Sequence, residues 1–226
     1  MSHRASELRV ISVPLFPLPN VVLYPRAVLP LHVFEERYKM MVADALAGDK
    51  RIAMALLRPG WEQCYYDRPA IEPIVCIGKI VSHQKLPDGK YNLLLQGCRR
   101  GQIVSEIDGG IYRSAEVELL LDHPSMEIDL CNERQRLISL FMDSPLSALP
   151  ITGQLRQILS SPISTGEVAD LLAFTLLEDV ALKQSLLAER DVSKRVARVV
   201  RALEAILPAM SCCAHRRAGA GAVSPN

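Results

Sequence analysis

The chain has 226 residues, 49% of them apolar, with 26 basic against 25 acidic side chains and a net charge of +1. That apolar content is enough for a core and excludes wholesale disorder, and the length allows one large domain or two small ones. The near-balance of charge gives no general attraction to nucleic acid or to an acidic membrane.

The first ten residues, MSHRASELRV, lack the apolar core of a signal peptide, and no run approaches the roughly 20 apolar residues of a membrane span. The expectation is a cytoplasmic protein. Its cysteines, at 64, 76, 98, 131, 212 and 213, show no CxxC spacing and no Cys/His cluster of zinc-binding form. In a reducing compartment they read as free thiols.

Residues 8–15 read as a first strand. Pro14–Glu36 then carries Pro14, Pro17, Pro19, Pro25 and Pro30 among Val, Leu, Phe and Tyr. Proline lacks the amide donor that a central strand needs, so this stretch predicts short extended pieces, broken at each proline, along an edge or rim. Phe34–Ala47 has helical spacing through Tyr38, Met41, Val42 and Ala45, with Gly48 placed to end it in a left-handed conformation. Arg51–Leu57 is a buried strand by composition. Arg58–Pro69 is a loop opened by the Pro59–Gly60 turn, and Ile71–Lys85 is a strand with a bulge candidate at Gly78.

Pro87-Asp88-Gly89 predicts a hairpin turn into a strand at 91–95. Gly97–Gly101 reads as an interruption with a charged turn at Arg99-Arg100, followed by a strand at 102–107. Asp108-Gly109-Gly110 turns again, and 111–121 completes the β part. Beyond Asp122 the patterns are helical: 128–142, a short piece at 155–159, 164–176 opened by a Ser164–Glu167 capping box, 178–189, and a helix capped by Asp191 and stopped at Pro208. Sequential strands with short turns predict antiparallel pairing in a small closed barrel. The expected division is a β portion at 1–121, a helical bundle at 122–210 and a loose tail at 211–226.

Catalytic signatures are missing from the sequence. Gly78-Lys79 and Gly89-Lys90 lack the following Ser or Thr of a P-loop, and there is no HExxH and no GxGxxG. Ser82–Lys85 matches SxxK, but on a strand residues three apart face opposite ways. Glu116 and Glu118 read as one solvated strand face. No metal, cofactor or catalytic residue is expected. Candidate binding residues are His32, bordered by Leu31 and Val33, and the aromatic loop with Trp61, Tyr65 and Tyr66 beside Arg58. Large rings with polar handles suit peptide contact.

Several long patterns resemble the N-terminal substrate-binding domain of the Lon ATP-dependent proteases. They are Pro14–Leu46, RPGWE at 58–62, LPDGKYNLLLQGCRRGQI at 86–103, YRSAEVELL at 112–120, and GEVADLLAFTL with KQSLLAERDVSKRVARVVRALEAIL in the helical half. The likeness extends to bacterial stand-alone proteins that carry this domain without the rest of the protease. Leu176-Leu177-Glu178 departs from the pattern, where a proline is expected between two helices. The resemblance implies an α+β fold: a PUA-like β pseudo-barrel with an embedded helix, followed by an α-helical bundle. It implies a non-catalytic module that recognises unfolded or tagged polypeptide, linked to protein quality control, with a separate Lon-type protease as a candidate partner. The alternative, an RNA or nucleotide binder on a PUA-like barrel, requires a continuous basic stripe across Arg58, Arg68, Arg99, Arg100 and Arg113. A small hydrolase hidden in the barrel is the weakest reading, since no nucleophile–base constellation is visible.

Overall fold

The computed structural model describes residues 10–64, 67–142, 157, 159–160 and 162–219. Among them, six strands form one sheet: β1 (Val10–Leu18), β2 (Val28–Val33), β3 (Arg51–Leu56), β4 (Ile74–Lys85), β5 (Tyr91–Ile107) and β6 (Ser114–Leu119). The strand order is β2-β5-β4-β3-β1-β6, and β6 also pairs with β5, which closes the barrel. The 17-residue β5 makes closure possible. Its first half lies between β2 and β4, and its second half between β4 and β6.

Pairing is antiparallel except for β1 with β3, which run parallel from Leu15↔Ala53 to Leu18↔Leu56. This corrects the expectation of uniform antiparallel pairing. Parallel neighbours need a long crossover, and residues 19–50 supply one that holds β2 and helix α1 (Glu36–Ala47).

β1 also runs through Pro14 and Pro17 without breaking. Its pairing with β6 ends at Pro14, and its pairing with β3 begins at Leu15. Leu15 N donates to Arg113 O (2.8 Å), so alternation turns the Pro17 nitrogen to the same side, past the last β6 partner. The Pro14 nitrogen faces the β3 side, one residue before that ladder starts. Each proline therefore falls where no ladder asks for a donor. Pro30 lies on β2, the edge strand, as proline should.

The interruption expected at Gly97–Gly101 is only a one-residue bulge: β5 continues through it as one strand, with Cys98 as the extra residue between Arg99↔Ile77 and Gly97↔Gly78. The glycines serve close approach instead of turning. A Cβ on Gly97 would stand 2.0 Å from Tyr24 O, and one on Gly101 2.4 Å from Val117 Cγ1. The other turns form as expected: Gly60, Gly89 and Gly109 all have positive φ. The register does shift at Ile77/Gly78, but the extra residue there belongs to β5, and the extra residue of β4 is Val81. Gly48 follows α1, but its φ is −102°; the left-handed residue is Lys50, at 64°. The barrel interior is filled by Val13, Leu15, Val75, Ile77 and Val117, with the smaller Ala53, Ala55 and Ala115. Helix α1 buries Tyr38, Met41 and Val42, and the Tyr38 ring lies 4.6 Å from that of Phe16.

The helical elements are α2 (Cys131–Met142), α3 (Thr165–Leu176), α4 (Val180–Ala188) and α5 (Val192–Gly219). The Ser164–Glu167 capping box forms as read. The short helix expected at 155–159 lies largely outside the described residues. The expected stop at Pro208 is not observed, because α5 continues to Gly219. Proline sets its own φ at a helical value, so the penalty is confined to one lost donor and the crowded carbonyl four residues back.

The chain divides into two compact units, 1–121 with 179–190, and 122–178 with 191–226. The expected contiguous split is corrected at α4, a helix by sequence that belongs to the barrel unit. In the other unit, the fully buried Arg195 reaches Asp170 Oδ1 at 3.0 Å and Asp122 Oδ2 at 2.5 Å. Glu127 accepts from Thr165 N (3.0 Å) and Thr165 Oγ1 (2.6 Å), adding a second carboxylate to the start of α3.

Candidate functional site

Where β3 ends, at Leu56, the chain leaves the barrel and returns at Ile74, 18 residues later. The base of this excursion is strapped by backbone bonds: Leu57 N to Leu18 O (3.0 Å), Arg58 N to Ala70 O (2.9 Å) and Glu72 N to Leu56 O (2.8 Å). Pro59 and Gly60 turn the chain, Gly60 at a φ of 90°, and Trp61 opens a short 3-10 helix, Trp61–Cys64. Trp61 is thereby fixed beside the barrel end instead of riding on an open loop.

Helix α4 forms the facing wall. Asp179 caps it, accepting from Leu182 N (3.0 Å). Its buried Leu186 and Leu187 face away from solvent. Four side chains bind the segment to the barrel unit through backbone carbonyls. Tyr24 Oη donates to Lys183 O (2.6 Å) and Arg100 Nε to Leu187 O (2.9 Å). Gln184 Nε2 donates to Ile74 O (2.8 Å), and Arg190 Nε to Leu121 O (3.0 Å). Arg100, only 4% exposed, also places its guanidinium 6.0 Å from the centroid of the Tyr24 ring. The carbonyls near a helix C-terminus lack intrahelical donors, and a buried arginine is a strong substitute.

Between these walls lies an open groove of about 630 Å³, within the barrel unit. It is lined by Pro19, Leu56, Leu57, Trp61, Pro73 and Ile74 together with a stripe of α4. The one formal charge in the lining, Glu72, pairs with Arg58 Nε at 3.2 Å. The surface is apolar, concave and neutral, suited to apolar side chains and unsuited to ions.

Of the residues singled out from sequence, Trp61 lines this groove and Arg58 stands at its rim. Tyr65 and Tyr66 lie outside the described residues. His32 lies elsewhere, in a separate depression of about 400 Å³ on the β2-β5-β4 face, where its Nδ1 is 2.7 Å from Asn92 Oδ1. It does not join Trp61. Among the described residues no three His, Cys, Asp or Glu side chains gather as a metal site, and no helix is long and apolar enough to cross a membrane.

The arginines named for a basic stripe do not form one. Arg58 pairs with Glu72, Arg68 with Asp108 (2.7 Å) and Arg113 with Glu106 (2.5 Å), while Arg100 is buried with its Nε donating to Leu187 O of α4, which leaves Arg99 as an isolated exposed member. Sequence reasoning missed both Arg100 and the α4 wall. The signal was present in α4, whose uncharged residues at 180, 181, 184, 185 and 188 recur at helical spacing. Nothing in the sequence said what that face would meet.

A sequence profile of the family described as the ATP-dependent protease La (LON) substrate-binding domain matches residues 12–205. The Lon protease of Dictyoglomus thermophilum is 29% identical over 191 residues, covering 82% of this chain and 23% of that protein. The Lon protease of Escherichia coli K12 is 28% identical over 193 residues, covering 82% of this chain and 24% of that protein. The chain thus spans about a quarter of the length of the curated relatives it matches. Two solved structures share the fold. The N-terminal domain of Mycobacterium avium complex Lon protease has a TM-score of 0.65 at 17% identity, over 86% of this chain and 98% of that one. A Lon N-terminal domain protein from Xanthomonas campestris has a TM-score of 0.60 at 24% identity, over 84% and 98%. The matched span takes in the barrel, the groove and most of the helical unit, and the chain belongs to the family of the Lon substrate-binding domain.

Proposed function

We propose that this protein is a non-catalytic polypeptide-recognition or adaptor module, and that the groove between Trp61 and α4 seats apolar segments of unfolded chains. The observation that carries the reading is the groove itself: concave, apolar, neutral at its rim, and built from prolines, aliphatic residues and the only tryptophan of the chain. Unfolded polypeptide exposes the apolar side chains that a folded protein hides, so a neutral apolar groove discriminates between the two. The family match supports the same reading. Delivery of the bound chain to a separate Lon-type protease is the corresponding role for a partner.

The test is a titration with a reduced, unfolded model polypeptide, followed by Trp61 fluorescence and by calorimetry. Binding in the micromolar range is expected, and Trp61→Ala should weaken it about tenfold or more, as for a buried aromatic contact. No fluorescence response together with no heat at high micromolar concentration would sink the proposal.

A further inference from the structure

Helix α4 presents Val180, Ala181, Gln184, Ser185 and Ala188 to the groove. Gln184 is the one large polar side chain in this stripe, and it is only 9% exposed. Its amide has two ends with different fates. Nε2 is committed to Ile74 O at 2.8 Å, whereas among the described residues no donor reaches Oε1. An amide oxygen in an apolar lining remains a strong acceptor, and a ligand that covers it without supplying a donor leaves it unsatisfied.

The donor that would satisfy it is uncharged. The only carboxylate in the lining already has Arg58 as its partner, so nothing in the groove balances a cation. An extended polypeptide provides the required combination, one backbone N–H per residue beside side chains that can lie against Trp61, Leu57 and Ile74. A helical segment has spent its N–H groups internally, and proline has none.

Resting on the reading of the groove as a polypeptide site, we propose that Gln184 Oε1 accepts a backbone N–H of the bound segment and so selects extended chain over helix. Gln184 is then a specificity residue as well as a tie between α4 and β4.

The test uses a short, neutral, end-capped apolar peptide and a series of analogues, each carrying one backbone N-methyl group. Binding is measured to the wild type, to Gln184→Met and to Gln184→Lys, which keeps a donor for Ile74 O but has no acceptor. One analogue should bind the wild type about three- to tenfold more weakly than the parent peptide, the effect of one net hydrogen bond, and show little or none of that penalty on either variant. If the parent peptide binds but every methylation costs the same on all three proteins, Gln184 acts only as a structural tie and the inference is overturned. If the parent peptide fails to bind the wild type, or binds Trp61→Ala equally well, the groove reading itself falls and takes this inference with it.

Discussion

Arg100→Met tests whether α4 is held in place mainly through its carbonyls. Methionine preserves most of the length and apolar volume of the side chain but donates nothing. The substitution removes the Nε bond to Leu187 O at 2.9 Å and leaves that carbonyl covered. A hydrogen bond from a charged donor contributes about 1.5–3 kcal/mol. The guanidinium lies 6.0 Å from the Tyr24 ring, at the outer limit of a cation–π contact, which adds about 0.5 kcal/mol. The expected loss is therefore about 2–3.5 kcal/mol. Tyr24→Phe is the internal comparison: it removes a neutral donor, the Oη bond to Lys183 O at 2.6 Å, and should cost about 1 kcal/mol. Urea unfolding followed at Trp61 measures both. Hydrogen exchange locates the effect, and residues 180–188 should lose more protection than β3 or β4. The reasoning fails if Arg100→Met costs no more than Tyr24→Phe, or if protection falls evenly across the barrel.

Other substitutions probe separate parts of the argument. Gly97→Ala should destabilise by about 2 kcal/mol or more in urea unfolding, because its Cβ would meet Tyr24 O at 2.0 Å and a backbone atom cannot rotate aside. Asp170→Ala should cost about 3–5 kcal/mol in thermal or urea unfolding, since it removes a carboxylate from beside the buried guanidinium of Arg195. Ser164→Ala should cost about 1 kcal/mol in the same assay by removing the helix cap. The Tyr112 hydroxyl is pushed up from its ordinary 10.0 to about 12, first by burial and then by its hydrogen bond to Asp44. Its contribution is fully present below pH 10 and is lost as pH rises through about 12. Stability measured across that window should fall less steeply for Tyr112→Phe than for the wild type.

Most strands, α1 and the capped start of α3 could be read from local chemistry. Alternation marks strands, Pro-Asp-Gly marks a turn, and Ser-x-x-Glu marks a helix start, and each acts over a few residues. The errors came where a residue answers to a distant partner. Gly97 and Gly101 looked like turn residues because the closeness of Tyr24 O and Val117 is invisible in sequence. Arg100 looked like a solvated charge because its acceptor is a carbonyl 87 residues away. Pro14 and Pro17 looked like strand breakers because the hand-over from β6 to β3 is a property of the sheet, not of β1. Trp61 could be singled out by its rarity, whereas Gln184 could not. An amide on a helix stripe acquires meaning only when the opposite wall is known. His32 was conspicuous only for its apolar neighbours, which on β2 reflect strand alternation.

The placement of α4 has a consequence for biogenesis. The N-terminal unit contains residues 179–190, which are synthesised after the first 57 residues of the helical unit have already left the peptidyl-transferase centre. During synthesis the nascent barrel waits with the Arg100 guanidinium and the hydroxyl of Tyr24 lacking their α4 acceptors, and one wall of the groove is missing. A fragment ending at Leu121 would carry that defect permanently. It should be the form that chaperones retain, while the chain extended through Arg190 is the shortest that completes its own N-terminal unit.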